Sequence, residues 1–226
     1  MNPEREGPLT KLTNFVYRLL VIEAAFVLAV LPALLGIFFL EQDPSNIPLY
    51  AFFALFFGPA ITAGVYAWRA DHDLVPWLRF WKGWADSLGQ SLTVWTPAVV
   101  LAALAAFNAA FAQVEFGFIL GGAVVAAAGG ILAIALLVII GHFSFRTRDL
   151  FTVAMYGTAS APVAALGIIS LCILAGAIVV VFSDWVAVLM ASLLLLLLGR
   201  TALPMMVQIQ QGLVTKDGSQ RTASLS

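Results

Sequence analysis

Six stretches of the chain are each long enough and apolar enough to cross a lipid bilayer as an α-helix. They lie at about residues 19–40, 48–68, 91–113, 117–142, 161–182 and 185–207. A crossing needs about 20 mostly apolar residues, because each residue advances the helix by about 1.5 Å. Backbone groups in lipid must pair within the protein, so stretches of this kind point to a membrane protein built of helices.

The composition agrees with lipid as the main solvent of the chain. Hydrophobic residues make up 62% of the 226 residues and charged residues only 10%, against roughly 25% charged in soluble domains. A chain this short cannot bury such an apolar excess in one core. We therefore predict an all-α polytopic bundle of six transmembrane helices in one membrane domain, residues 1–210. A polar C-terminal tail, residues 211–226, is expected to be disordered.

The lysines and arginines outside the apolar spans all lie on one side of the predicted bilayer. They are Arg5, Lys11, Arg18, Arg69, Arg79, Lys82, Arg146, Arg148, Lys216 and Arg221. The three loops on the other side hold acidic residues and no basic ones. Because cytoplasmic loops retain Lys and Arg, this pattern predicts that both termini are cytoplasmic.

The second span contains residues that an ordinary soluble helix disfavours. These are Gly58, Pro59, Thr62 and Gly64. Membrane helices accept Gly and Pro more readily than soluble helices do. Tyr66 and Trp68 are typical interfacial anchors, and Arg69 marks the predicted cytoplasmic end of this span.

An amphipathic segment, DLVPWLRFWKGWADSLGQS, follows the second span. Its apolar residues recur at helical spacing and form one face: Trp77, Phe80, Trp81, Trp84 and Leu88. Arg79, Lys82 and Asp86 lie off that face. Such a pattern predicts an elbow helix in the cytoplasmic headgroup layer, with its basic groups toward anionic lipid. A docking surface for a soluble partner is the alternative.

A weaker copy of this pattern follows the fourth span, in FSFRTRDLFTVAMYGTASAP. Leu150, Phe151, Ala154 and Met155 could form the apolar face of a second elbow helix. The order of span, elbow and span then occurs twice, which suggests an internal repeat.

Two ionisable residues lie inside the apolar spans, at matching predicted depths near the cytoplasmic boundary. They are Glu23 in the first span and Arg200 in the sixth. Ionisable groups in lipid are costly and mark candidate functional sites. An ion pair between the first and last helices, separate snorkelling of both side chains to the headgroups, and a role with a proton or substrate are the three interpretations.

Small residues recur at four-residue intervals in the fourth span, at Gly122, Ala126 and Gly130. This rhythm lets a second helix backbone approach closely. It predicts packing within the chain, and a dimer interface is the alternative.

Sequence signatures of catalysis are absent. The two histidines, His72 and His142, have no HExxH pattern around them, and no GxSxG or P-loop motif occurs. One cysteine, Cys172, excludes an intrachain disulfide. The net charge of −1 argues against a nucleic-acid partner, which a basic stripe would indicate. We therefore expect no enzyme activity and no catalytic, cofactor or metal site.

Three segments together resemble the YesL-like family of bacterial multi-pass membrane proteins, a domain of unknown function. GPAITAGVYAWR is similar to the Gly-Pro-Ala-x-x-Ala-x-Tyr span of that family, and FWKGWADSLGQS resembles the aromatic segment after it. LLVIEAAFVLAVLP resembles the first helix, although Glu23 stands where an Asn is expected. The resemblance covers about residues 10–210 and implies location in the bacterial plasma membrane.

The resemblance also implies a function, because genes of the family tend to lie beside sugar permeases and glycan-degrading enzymes. We therefore expect a non-enzymatic accessory to carbohydrate uptake, with membrane lipids and a sugar-transporter permease as partners. The alternative is that the bundle is itself a small-solute transporter or channel. The residues do not indicate an oligomeric state.

Overall fold

A computed structural model of the chain describes residues 7–69, 75–112, 115–142 and 162–204. The second predicted elbow, around Leu150, lies outside these residues. The predicted tail at 211–226, the last residues of the sixth predicted span and His72 also lie outside them.

The described residues form helices joined by short turns, without a β-strand. The predicted all-α class is therefore confirmed for this part of the chain. The helices are α1 (Pro8–Phe39), a 3₁₀ turn (Pro44–Asn46), α2 (Ile47–Ala54), α3 (Phe57–Ala67), α4 (Pro76–Phe111), α5 (Phe116–His142), α6 (Pro162–Val181), α7 (Asp184–Leu189) and α8 (Ala191–Pro204).

Among the described residues, four helical segments are long and apolar enough to cross a membrane. They are Pro8–Phe39, Pro44–Ala67, Pro76–Phe111 and Phe116–His142. Each overlaps one of the first four predicted spans, and the first and third begin well before the predicted start. The regions of the fifth and sixth predicted spans contain the shorter apolar helices Leu166–Val181 and Ala191–Pro204.

Helix α4 joins the predicted elbow and the third predicted span into one element. It has 36 residues and continues past Pro97 without a break, so it is about 54 Å long at 1.5 Å per residue. The prediction that the elbow is a helix separate from the third span is therefore wrong. The apolar periodicity of residues 77–88 was correctly helical, but the helix continues through Gly89 into the span.

The second span is interrupted between α2 and α3, at Leu55 and Phe56. Pro59 explains the interruption, because it has no N–H to donate to the carbonyl four residues earlier. The indole Nε1 of Trp95 in α4 donates to the Ala54 carbonyl oxygen at 2.8 Å. This contact satisfies one of the carbonyls that the end of α2 leaves without a helical partner.

The packed core is concentrated toward one end of the bundle. Residues 133–141 of α5 are mostly buried, whereas residues 116–132 of the same helix are largely exposed. In α4 likewise, the buried residues fall between Arg79 and Val99. Helices α3, α4 and α5 pack against one another. We call the packed end, where α3, α5 and α8 finish, the basic end, because Arg18, Arg69, Arg79 and Arg200 lie there.

Candidate functional site

Two arginines from different helices hold the C-terminus of α3. One terminal nitrogen of Arg18 donates to the carbonyl oxygens of Ala67 and Arg69 at 2.7 and 2.8 Å. A terminal nitrogen of Arg79 donates to the same two oxygens at 3.2 and 3.3 Å. The last carbonyls of a helix have no partner within the helix and carry partial negative charge, so cations stabilise them.

This arrangement corrects the expected position of Arg79. The sequence predicts that its side chain faces anionic lipid, but only 5% of the residue is exposed. Inside the protein, its guanidinium supplies the hydrogen bonds that water would otherwise donate to the carbonyl oxygens at the end of α3. Charged hydrogen bonds to backbone oxygen are strong enough to offset part of the cost of burying a cation.

The aromatic face of the first turns of α4 also packs on the protein. Phe80 is fully buried, and Trp81 and Trp84 pack against the core cluster. The approach of α4 to α3 is close at Gly83, where an added Cβ would lie 2.6 Å from the Tyr66 ring. The prediction that this face rests on lipid is therefore wrong for Phe80. Trp77 and Lys82 remain exposed.

We call Arg18 and Arg79, which hold the end of α3, the arginine clamp. Trp68 connects this clamp to α8, the last described helix. Its ring lies under the Arg18 guanidinium, with the carbon of that group 4.9 Å from the ring centroid. The indole Nε1 donates to the Ser192 carbonyl oxygen at 3.0 Å. Trp68, which the sequence predicts to be an interfacial anchor, thus links α1, α3 and α8.

Glu23 binds the N-terminus of α8. Its Oε2 accepts a hydrogen bond from the Ser192 backbone N–H at 2.7 Å, and only 9% of the residue is exposed. One residue, Met190, separates the end of α7 from the start of α8. A carboxylate at this place satisfies a first-turn N–H group and lies at the positive end of the helix dipole.

The predicted ion pair between Glu23 and Arg200 is absent from the described residues. Glu23 bonds to backbone instead, and Arg200 is exposed at the basic end. Glu23 also does not snorkel, because it is enclosed by protein. The Oε1 atom of Glu23 and the Ser192 hydroxyl are buried without a hydrogen-bond partner. These two groups at the helix break can therefore form further hydrogen bonds.

A cavity of about 610 Å³ opens at the basic end between α1, the end of α3, the end of α5 and α8. Its polar lining is Asn14, Arg18, Arg69, His142 and Arg200. We call it the cationic cavity. The Nδ1 atom of His142 lies 2.9 Å from the Val138 carbonyl oxygen. That contact makes Nδ1 the donor and directs the other ring nitrogen away from its own helix.

A smaller polar cavity of about 290 Å³ lies on the other side of Arg69. Lys82, Asp86 and Gln90 of α4 line it together with Thr62 and Tyr66 of α3. At its inner edge the Ser91 hydroxyl donates to the Thr62 hydroxyl at 2.9 Å, and the Thr62 hydroxyl donates to the Gly58 carbonyl oxygen at 3.3 Å. This chain of hydrogen bonds satisfies two buried hydroxyl groups between α3 and α4.

An apolar cleft of about 650 Å³ opens toward the other end of the bundle. Phe26 and Leu34 of α1, Cys172 of α6 and Trp185 of α7 are among its lining residues, and Ala191 lies where it approaches the helix break. The Cys172 thiol is half-buried. The layer of Glu23, Trp68 and Ser192 therefore lies between this cleft and the cationic cavity.

The residues of the second-span motif form close contacts inside the bundle. Gly58, Pro59, Thr62 and Gly64 are all buried. A Cβ on Gly58 would lie 2.6–2.8 Å from three atoms of Trp95, and one on Gly64 would overlap Leu195. The motif therefore permits α4 and α8 to approach α3, a role that the sequence did not predict. Tyr66 and Arg69 also contact each other, the guanidinium carbon lying 5.4 Å from the ring centroid.

The small residues of α5 pack less closely than the sequence predicts. A Cβ on Gly122 would lie 3.8 Å from Ala105 of α4, which is an ordinary contact, while Gly130 has no neighbour within 4 Å of such an atom. Gly129, beside the predicted series, is closer, at 3.2 Å from Leu101. Ala126 is half-buried.

Ser192 is a functional candidate that sequence reasoning missed, and the contacts of Trp68 were not predicted. Ser192 stands in a run of small and leucine residues, and its backbone atoms, not its side chain, make the contacts, so no sequence signal could have found it. Within the described ranges, no three His, Cys, Asp or Glu side chains come together as metal ligands would. No family model, curated protein or solved structure matches the chain.

Proposed function

We propose that the chain crosses the bacterial plasma membrane six times with both termini in the cytoplasm. The direction of the shorter helices supports this. Gly167, near the start of α6, contacts Thr201, near the end of α8, while Val179, near the end of α6, lines the cleft with Ile37 at the end of α1. Helix α6 thus leads away from the basic end, and α7 and α8 return to it.

The gathering of basic side chains supports the orientation. Arg18, Arg79 and Arg200 come from three different helices, Arg69 follows the end of α3, and all four lie at the same end, as expected for the cytoplasmic side. A membrane-impermeant maleimide is expected to label Gln42→Cys in intact cells, in a Cys172→Ala background. Lys82→Cys should react only after permeabilisation. The opposite labelling pattern would contradict this orientation.

For the function, we infer a non-enzymatic accessory to carbohydrate uptake that contacts a sugar-transporter permease. The observation that carries it is an exposed apolar surface at the basic end. Leu9 and Leu12 of α1 are 78% and 59% exposed, and Leu78 of α4 is 54% exposed. Both helices are longer than the roughly 30 Å hydrocarbon core, so these first turns extend beyond it. The resemblance to the YesL-like family supports the kind of partner.

Affinity purification of the tagged protein from cells growing on a complex glycan tests this role. We expect a sugar-transporter permease to co-purify with the wild-type chain and with Lys11→Gln, a nearby charge change. Leu12→Glu and Leu78→Glu should each reduce the recovery several-fold, because a carboxylate would be buried at the contact. If the wild type recovers no such permease, or if the Glu variants recover it equally, the accessory role fails.

A transport role is the second candidate, and the site around Glu23 favours it. A buried carboxylate at the break between two half-helices, between cavities at opposite ends, is the kind of arrangement that transporters use for substrates or coupling ions. Purified protein in liposomes is then expected to take up radiolabelled monosaccharide or disaccharide, and Glu23→Gln should abolish uptake. Uptake that is no faster than in empty liposomes would exclude this candidate for the sugars supplied.

A further inference from the structure

The cationic cavity collects positive charge from three separate elements. Arg18 comes from α1, Arg69 from the turn after α3, and Arg200 from α8. Among the described residues that line this cavity, none is a carboxylate. Val65, Trp68 and Leu203 form the apolar side of its lining.

The present contacts of these arginines leave donors available. Arg18 uses one terminal nitrogen for both α3 carbonyls. Arg69 lies over the Tyr66 ring, and Arg200 is exposed. In the part of the chain that the structure describes, none of the three forms an ion pair. The α3 carbonyls supply only the partial charge of a helix terminus, about half an elementary charge.

We propose that the cationic cavity binds a phosphate group. Arginine presents planar forks of donors that match phosphate oxygens, and here Arg18 of α1, Arg69 of the turn after α3 and Arg200 of α8 line one space. A tetrahedral anion can accept donors from several directions at once, which a planar carboxylate does less well. The Asn14 amide adds a neutral donor at the rim.

The size and position of the cavity define what the phosphate is attached to. About 610 Å³ is far more than an inorganic phosphate needs, and the Trp68 and Leu203 wall suits an apolar or sugar-like substituent. At the basic end of a membrane bundle, this chemistry occurs both in anionic lipid headgroups and in soluble phosphate esters. The recognition of the phosphate group is common to both.

Binding to the purified full-length protein tests the proposal with two probes. The first is glucose 6-phosphate, titrated by calorimetry into protein held in nanodiscs of phosphatidylcholine. The second is phosphatidylglycerol, counted by native mass spectrometry as adducts in excess of phosphatidylcholine adducts. Binding of the first probe identifies a soluble phosphate ester as the ligand, and binding of the second identifies a lipid headgroup.

The matched variants are Arg200→Gln and Lys11→Gln, which remove the same charge at the same end of the protein. Arg200 lines the cavity and Lys11 does not. We expect Arg200→Gln to weaken binding about tenfold or more, as the loss of a charged hydrogen bond does, and Lys11→Gln to bind like wild type. Asn14→Asp gives an independent check, because an exposed isosteric carboxylate at the rim should also weaken binding several-fold.

Two results would overturn the proposal. One is the absence of binding for both probes at millimolar sugar phosphate and at equimolar lipids. The other is binding that Arg200→Gln and Asn14→Asp leave unchanged relative to Lys11→Gln.

Discussion

Replacing Arg18 with methionine is expected to lower the free energy of unfolding by about 2–3 kcal/mol. The substitution removes two short hydrogen bonds to the end of α3 and the contact with the Trp68 ring. Hydrogen bonds from a charged group are worth about 1.5–3 kcal/mol each, but Arg79 contacts the same two oxygens and retains part of the stabilisation. Reversible unfolding by SDS titration in mixed micelles measures the change.

Two further substitutions separate the geometry of Arg18 from its charge. Arg18→Lys keeps the cation but loses the planar fork that reaches both carbonyls, so an intermediate loss of about 1 kcal/mol is expected. Arg200→Met removes an exposed cation from the same end of the bundle and should change stability by less than about 0.5 kcal/mol. Equal losses for Arg18→Met and Arg200→Met would show that the clamp on α3 has no special value.

Replacing Gly58 with alanine is the second substitution for which we expect a large loss, about 1–3 kcal/mol, because of overpacking. The new methyl group would lie 2.6–2.8 Å from the Cβ and ring atoms of Trp95. Trp95 cannot move aside without stretching its hydrogen bond to the Ala54 carbonyl oxygen. The steric conflict would therefore also weaken the contact that caps the end of α2.

Gly130→Ala is the matched control, since a Cβ at that position has no neighbour within 4 Å. Alanine favours helix over glycine by about 1 kcal/mol, so this variant should be neutral or slightly more stable. The two alanine variants are compared by their thermal inactivation half-lives in detergent. Indistinguishable half-lives would contradict the close approach of α4 to α3 at Gly58.

The apolar stretches predicted the helices well because lipid imposes a simple length requirement on each crossing. They could not predict how α4 is built. The residues from Trp77 to Leu88 have the periodicity of an interfacial helix, and the same periodicity suits a helix whose aromatic face packs on α3. The difference depends on the position of Phe80 and Gly83 against Tyr66, which only the tertiary structure specifies.

The partners of the ionisable residues were the least predictable part of the site. A sequence shows which residues are charged, so an ion pair between Glu23 and Arg200 was one interpretation. In the structure, Glu23 and Arg79 both use backbone groups at helix ends, Glu23 at the start of α8 and Arg79 at the end of α3. Helix ends that lie inside the bundle become evident only when breaks such as Met190 are known.

The hydrogen bonds that Glu23 and Trp68 form with Ser192 have a consequence for the biosynthesis of the protein. Ser192 of α8 donates its N–H to the Glu23 carboxylate of α1 and accepts the Trp68 indole N–H at the end of α3 on its C=O, so segments synthesised far apart meet at a single residue. Until α8 emerges from the ribosome, the Glu23 carboxylate of the nascent chain lacks this hydrogen-bond donor, which is energetically unfavourable. Synthesis of α8 thus completes the contacts of α1 and α3. A chain that stops before α8 would retain a Glu23 carboxylate without this donor.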